Sequence, residues 1–173
     1  MKLLRLFILA IAVLLTAMPM DAKKYKWVYG DHPLEVYTTG QGKNRMQLIK
    51  AWAVAKNADK AIEQAMMDAV TAAFFSTIGY DESTHGMGVS NLQPLVSGDQ
   101  YREHEGLFKD FFVSGEFLGY VRPVNSAYPS GENNMKVSGG RRVGVNLVLD
   151  RPGLEKWLQN KGVKKGLDGH FRN

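Results

Sequence analysis

Histidines are the first side chains to examine for chemistry, because imidazole titrates near neutral pH and is a common metal ligand. The four are His32, His85, His104 and His170. The segment REHEG places Glu103, His104 and Glu105 in succession, but consecutive residues of a helix point in different directions. A zincin H-E-x-x-H motif would need a second histidine where this chain has Phe108. We therefore interpret this segment as a solvated helix face and predict no metal ligands.

Nucleophilic and phosphate-binding motifs are the next possibilities. The segment STHGMGVSN holds Ser83, His85 and Ser90 in one loop, but a triad needs a base that a third group orients. The chain has no G-x-S-x-G elbow and no P-loop spacing. The acidic pairs Asp81–Glu82 and Glu103–Glu105 fit exposed charge better than a glycosidase pair. The sequence thus predicts no catalytic residues and no cofactor.

Two clusters remain as candidates for contacts with a partner. The segment SGGRR could bind an anion through Arg141 and Arg142, although a bulged strand edge is the interpretation we favour. Aromatic residues recur between Phe108 and Tyr120, and core packing is the favoured role; any exposed part would form a partner patch. The predicted partner surface comprises His85, Phe108, Phe111, Phe112, Arg141 and Arg142.

The first 22 residues have the pattern of a signal peptide. Lys2 and Arg5 precede an apolar run of 13 residues, which is shorter than the ~20 that a membrane-spanning helix needs. We expect cleavage after Ala22, with Ala17 as the alternative site and an uncleaved amphipathic anchor as a further possibility. We expect no transmembrane span after cleavage.

Composition narrows the class of protein further. The chain has no cysteine, so an exported form would hold its fold without disulfides, which favours a bacterial periplasm or surface. The net charge of +5 comes from scattered lysines and arginines rather than a basic stripe with interleaved aromatics. We therefore expect no nucleic-acid partner.

Hydrophobic periodicity predicts the elements that must position these residues. We expect strands at 25–29, 33–39, 46–56, 116–124 and most of 135–150, with a bulge or bend at residues 138–140. We expect helices at 58–78, 100–114 and from Pro152 to Gly162, starting at the caps Asn57, Asp99 and Asp150. Residues 81–99 and 125–134 are predicted loops.

The predicted fold is α+β: a mainly antiparallel sheet with a long Ala-rich helix and one or two further helices packed on one face. We expect a signal peptide at 1–22, a single domain at 23–165 and a flexible tail at 166–173. One parity of the strand 46–56 carries Ile49, Ala51, Ala53 and Ala55, a flat face of mostly small residues. We expect the alanines of helix 58–78 to pack closely on this face.

The strand followed by AKNADKAIEQAMMDAVTAAFFSTIG resembles the N-terminal domain of the flagellar accessory protein FlgT and related small envelope proteins. The residues that carry the resemblance are Ala61, Ala65, Asp68, Ala69, Val70 and Gly79. The segment VGVNLVLDRPGLEKWLQNKGVKKGLDGHF is similar to the tail of uncharacterised exported proteins of Bacteroidetes. The resemblance implies a non-catalytic envelope domain and assigns no catalytic residues.

These observations together predict a non-catalytic protein of a Gram-negative cell envelope, located in the periplasm or on the surface. We expect a structural or protein-interaction role with other envelope proteins as partners. The alternative is a binding module for a hydrophobic or glycan ligand that uses the 81–99 loop and the aromatics. An unrecognised hydrolase is the third hypothesis.

Overall fold

The computed structural model describes residues 25–80, 90–125 and 127–164. The strands are β1 Glu35–Gln41, β2 Gln47–Ala55, β3 Gly79–Tyr80, β4 Val121–Pro123, β5 Asn134–Val137 and β6 Gly140–Leu149. The helices are α1 Ala58–Phe75, α2 Gly98–Glu103, α3 Glu105–Ser114 and α4 Arg151–Asn160. Within these ranges no helix has the length and apolar character that crossing a membrane requires. The predicted signal peptide and tail lie outside the described residues.

The strands form one open sheet in the order β3-β1-β2-β6-β4, and β5 pairs with β6. The pairing is antiparallel throughout except between β1 and β3. The central pair is β2 with β6, which runs in register from Gln47 opposite Leu149 to Ala55 opposite Arg141. This arrangement confirms the predicted α+β class with a mainly antiparallel sheet.

Helix α1 packs on β2 and β6 through small side chains, as its alanine pattern predicts. Asn57 caps the helix, and its side chain accepts a hydrogen bond from the Lys60 amide at 2.9 Å. Ala61, Ala65 and Ala69 are fully buried. The residues of β2 that face the helix are also buried: Ile49, Ala51 and Ala53. Two flat surfaces therefore allow the helix and strand backbones to approach closely.

The end of α1 differs from the prediction, because the helix ends at Phe75 rather than at Ile78. The amides of Leu95 and Val96 bind the carbonyls of the last helical turn, at Ala73 and Phe74, over 3.0 and 2.8 Å. The chain then runs extended, and Ile78 exchanges two 2.9 Å backbone bonds with Leu92. Because amides from residues 95–96 bind the last carbonyls of α1, the helix ends before it reaches Gly79.

The predicted strand at 25–29 is wrong. Residues 25–28 pair with no strand, and the Tyr25 amide instead donates to the Val113 carbonyl at 3.0 Å. Trp27 stacks on Phe112 with ring centroids 4.5 Å apart. The aromatic side chains attach this segment to the helices, so the alternating pattern reflects packing on helices rather than a sheet.

The predicted helix 100–114 is two helices, α2 and α3, which meet at His104. The N-cap of α2 is Ser97 rather than Asp99, and it forms a reciprocal capping box with Gln100. The break falls at His104, where φ is −120° and ψ is 22°.

The first four residues of the predicted strand 116–124 form a 3-10 turn, Glu116–Gly119. Val121–Pro123 pairs with β6, and the Val124 amide also donates to the Asn146 carbonyl of β6 at 2.9 Å. Of the two predicted alternatives at 138–140 the structure has a bend rather than a bulge, because Ser138 and Gly139 form the turn of the β5–β6 hairpin. Gly139 has φ of +90°, a conformation that favours glycine. At Gly140 an added Cβ would lie 2.0 Å from the Ala55 carbonyl oxygen, so a side chain there would collide with β2.

The last helix is confirmed, and it completes the aromatic side of the core. The Asp150 side chain accepts from the Gly153 amide at 2.9 Å, and Pro152 lies in the first turn. Trp157 packs on Phe111 with centroids 4.5 Å apart. We call the following rings the aromatic cluster: Phe74, Phe108, Phe111, Phe112 and Trp157.

Candidate functional site

The predicted partner surface is divided by the structure. Phe108, Phe111 and Phe112 are 0 to 1% exposed and belong to the aromatic cluster, so their assignment to a surface is corrected to core packing. All three lie on α3, where Trp157 of α4 packs on Phe108 and Phe111. His85 lies outside the described residues.

Arg141 and Arg142 do not form one anion site, because successive side chains of a strand point to opposite faces. Arg141 donates through Nε to the Asn134 side chain at 2.6 Å and through a terminal nitrogen to the Asn134 carbonyl at 3.1 Å. Arg142 forms an ion pair with Glu35 and lies over the ring of Trp52, 4.1 Å from its centroid. Each arginine is thus held by the sheet itself.

In the part of the chain that the structure describes, the face of the sheet opposite α1 is open. Its side chains alternate with the buried ones along each strand, and every described member with a side chain is at least partly exposed. The cross-strand rows are Tyr37–Lys50–Asn146, Glu35–Trp52–Gly144 and Met135–Arg142–Val54. Together with Leu48, Val148 and Arg122 at the other end, we call these residues the open sheet face.

Trp52 occupies the centre of the open sheet face. Its ring lies against Gly144, where an added Cβ would approach ring atoms to 2.8 Å. The Lys50 ammonium is 4.8 Å from the ring centroid, so two cations lie within reach of one indole. An indole held in this way is a rigid platform that presents positive charge around an aromatic surface.

A second candidate site lies on the other side of the sheet, between residues 26–34 and α1. A cavity of about 320 Å³ lies between this segment and the helix. We call it the N-terminal cleft, and its lining includes Trp27, Tyr29, His32, Met67, Asp68 and Thr71. The Trp27 indole nitrogen donates to the Thr71 hydroxyl at 3.0 Å, which fixes the ring. That hydroxyl in turn donates to the Met67 carbonyl at 2.9 Å.

His32 joins the segment to α1 between two carboxylates. Its Nε2 lies 3.0 and 3.1 Å from the two Asp68 oxygens, and its Nδ1 contacts Asp31. Gln64 donates a third bond to Asp68 at 2.8 Å. A neighbouring cavity of about 400 Å³ shares this polar group with the cleft and extends to Trp52 and Arg142 of the open sheet face. The His32–Asp68 contact therefore lies between two cavities.

The pKa values of His32 and Asp68 depend on the burial of each group and on the neighbours that bind it. Burial opposes the imidazolium, but the hydrogen bonds and charges of Asp68 and Asp31 outweigh it and raise the pKa of His32 above 6.5. Burial raises the pKa of Asp68 above 3.8, and the bonds from Gln64 and His32 offset it only in part. The Asp68 side chain is only 4% exposed.

The arrangement limits what His32 can do chemically. A carboxylate accepts hydrogen bonds, so an imidazole between two carboxylates donates from both nitrogens. The ring then has no lone pair to act as a general base. The two carboxylates bind different edges of the ring and do not converge on one point. Over the described ranges, no group of three or more His, Cys, Asp or Glu residues could hold a metal ion.

Sequence reasoning missed His32 and Asp68 as a pair. Asp68 follows Ala65 by three residues and precedes Ala69, so it borders the alanine stripe that packs on the sheet. An acidic residue beside a buried stripe is a signal that a partner must satisfy it. Nothing in the sequence indicates that His32, 36 residues away, is that partner.

No family model matches this sequence, and neither a search of characterised proteins nor one of solved structures finds a similar protein. The resemblance to the FlgT domain and to exported Bacteroidetes proteins therefore stays a prediction.

Proposed function

We propose that this chain is a non-catalytic protein of a bacterial cell envelope that binds another protein through the open sheet face. The observation that carries the proposal is the partly exposed platform of Trp52 with Lys50 and Arg142. Interfaces between proteins are enriched in Trp, Tyr, Met and Arg at their centres. The open sheet face offers all four types in one patch.

Charge indicates the chemistry of the partner. Lys50, Arg122 and Arg142 are opposed on this face by one carboxylate, Glu35, so the face carries a net charge of +2. Positive potential favours encounter with an acidic surface and disfavours a second copy of the same face. We propose that the partner is an acidic protein surface with exposed aliphatic side chains that can cover Trp52.

The envelope location is supported by the sequence of the leader rather than by the fold. Residues 1–22 combine a basic start with a short apolar run, and the chain has no cysteine. Fractionation of cells that express the chain with and without residues 1–22 tests this. We expect only the form that carries the leader to reach the periplasm, shortened at its N-terminus. Retention of both forms in the cytoplasm would contradict the location.

A non-catalytic role is supported by His32, the histidine that pairs with the buried carboxylate of Asp68. Both of its ring nitrogens are engaged by carboxylates. A general base needs a free nitrogen next to the reacting group. The hydrolase hypothesis gains no support from this geometry.

Site-directed photo-cross-linking in cells tests the interaction. A photoreactive residue replaces Met135, which is 39% exposed on the open sheet face. The matched control replaces Lys109, which is exposed on α3. We expect one adduct of defined mass with an acidic envelope protein from position 135 and none from position 109. Lys50→Glu should lower its yield at least about fivefold, since reversed charge slows association.

Two outcomes would overturn the interaction function. One is an absence of adduct from position 135 at native expression. The other is an adduct that Lys50→Glu leaves unchanged, since the face would then not be the binding surface. Circular dichroism of Lys50→Glu confirms that the fold is intact, because Lys50 is only partly buried.

A second candidate function, a small-ligand binding module, is favoured by the N-terminal cleft. The cleft has the volume of a small-molecule site and combines aromatic walls with a few polar groups. Residues 81–89 of the 81–99 loop that the sequence suggested for this role lie outside the described residues, and Leu95 and Val96 in the remainder are buried.

A further inference from the structure

We propose that the N-terminal cleft binds a small organic cation, a primary ammonium group on an apolar or aromatic body, which replaces His32 on the Asp68 carboxylate. The proposal deepens the second candidate function, on which it rests, and it is independent of the open sheet face.

Asp68 is the anchor because a buried carboxylate must be paired with donors or an opposite charge. Its donors are Gln64 and His32. Gln64 lies one turn earlier on the same helix and stays close to Asp68 whatever occupies the cleft. His32 lies outside any helix or strand, and its side chain is 38% exposed. His32 is therefore the donor that a ligand can replace.

The walls of the cleft suit a cation with an apolar body. Trp27 and Tyr29 line the cavity together with Leu34, Val36 and Met67. Aromatic faces attract ammonium groups, and the attraction grows when the cation is desolvated. Trp27 is held by Thr71 and by Phe112, so its position is fixed before a ligand arrives. Tyr29 is 42% exposed, which places it near solvent.

Local charge favours a cation over an anion. The titratable groups that face His32 are Asp31 and Asp68, with Lys26 in the cleft and Glu35 and Arg142 in the neighbouring cavity. Glu35 and Arg142 pair with each other. When His32 loses its proton, the two aspartates exceed Lys26 by one negative charge. A ligand cation restores neutrality, whereas an anion would meet two carboxylates.

The exchange has a signature in pH. His32 must leave Asp68 when the ligand binds, and the free ring releases the proton that the two carboxylates held. Protons therefore compete with the ligand, and affinity increases with pH by up to about tenfold per unit while His32 titrates. A cation that bound elsewhere on the surface would show no such dependence.

The experiment is a titration of the isotope-labelled full chain followed by backbone amide chemical shifts. The probes are benzylammonium, benzyl alcohol and benzoate, which share one body and differ in charge. We expect saturable shifts with benzylammonium at residues 27–34 and 64–71, with tighter binding at about pH 8 than at about pH 6. Saturation by benzyl alcohol or benzoate with equal affinity, or no saturation by benzylammonium, overturns the proposal.

Two variants complete the test. Asp68→Asn removes the anchor and should abolish binding, while Asp110→Asn removes an exposed carboxylate of α3 and should leave it unchanged. If Asp68→Asn does not fold, His32→Gln serves instead, since it removes the competing imidazolium. We expect His32→Gln to bind benzylammonium more tightly and with little pH dependence. Unchanged affinity and slope in that variant overturn the proposal, whatever the cross-linking experiment reports.

Discussion

Helix α1 contacts two regions of the core that are built in opposite ways. Against the sheet it presents Ala61, Ala65 and Ala69 to the small residues of β2. At its C-terminal end Phe74 packs into the aromatic cluster, with centroids 5.4 to 5.8 Å from Phe108, Phe111 and Trp157. The first contact has little side-chain volume to lose, and the second has large rings that fill the space. The two regions should therefore fail under opposite changes of volume.

The largest expected effect is a cavity in the aromatic cluster. Phe111→Ala removes a ring that touches Phe74, Phe112 and Trp157 and is 1% exposed. We expect the free energy of unfolding to fall by about 3–5 kcal/mol, as for other buried Phe→Ala changes. Urea denaturation measures it. Leu118→Ala, at a site 38% exposed, is the control and should cost much less.

Overpacking of the alanine contact comes next. Ala65→Leu adds three carbons where Ala65 is fully buried between α1 and the sheet. We expect a loss of about 1–3 kcal/mol, because the backbones must separate. Lys60→Leu, on the exposed side of the same helix, introduces the same side chain without a clash and should change stability by less than about 1 kcal/mol. Equal melting of Ala65→Leu and wild type would show that this contact is not close-packed.

Trp27→Phe separates the two ways in which the N-terminal segment is attached to the core. Phenylalanine can keep a ring against Phe112 but loses the donor to Thr71. The Thr71 hydroxyl keeps its own bond to Met67, so the loss is close to that of one hydrogen bond, about 1 kcal/mol. Thermal unfolding of Thr71→Val tests the same bond from the other side. If Trp27→Phe lowered the free energy of unfolding as much as Phe111→Ala, ring packing rather than the hydrogen bond to Thr71 would account for the contribution of Trp27.

The sequence predicts the alanine contact better than the aromatic one, for a physical reason. Close helix–strand packing requires small residues at regular spacing on both elements, and that spacing is visible at Ala61 to Ala69 and at Ala51 and Ala53. Aromatic rings pack in many geometries, so Tyr25, Trp27 and Tyr29 could equally have belonged to a strand. The end of α1 was missed because amides from residues 95–96, distant in sequence, bind its last carbonyls.

The candidate sites, too, are predictable from the sequence only where they depend on local spacing. The alternation of residues along β2 predicts that Trp52 lies on the face of the sheet away from the helix. The contact between Arg142 and Trp52 depends on the register of β2 with β6. The His32–Asp68 bridge depends on the path of residues 25–34, which no periodicity records. Local patterns thus predict elements and faces, while contacts between distant segments need the three-dimensional structure.

The smallest expected effect is that of His32, a polar contact on the helix that both apolar regions share. Its pKa is raised in the folded state, so its contribution to stability is complete below about pH 6.5 and is lost as the pH rises through the folded pKa. Its side chain is 38% exposed, and solvent screening limits the contribution to about 1 kcal/mol or less.

His32→Gln should therefore be less stable than wild type at about pH 6, with the difference shrinking by about pH 9. Burial raises the pKa of Asp68 as well, and both proteins keep this residue, so the difference between them reports His32. Chemical denaturation of both proteins across this range measures the difference, and a gap that widens with pH would show that the imidazolium is not the species that holds residues 25–34 to α1.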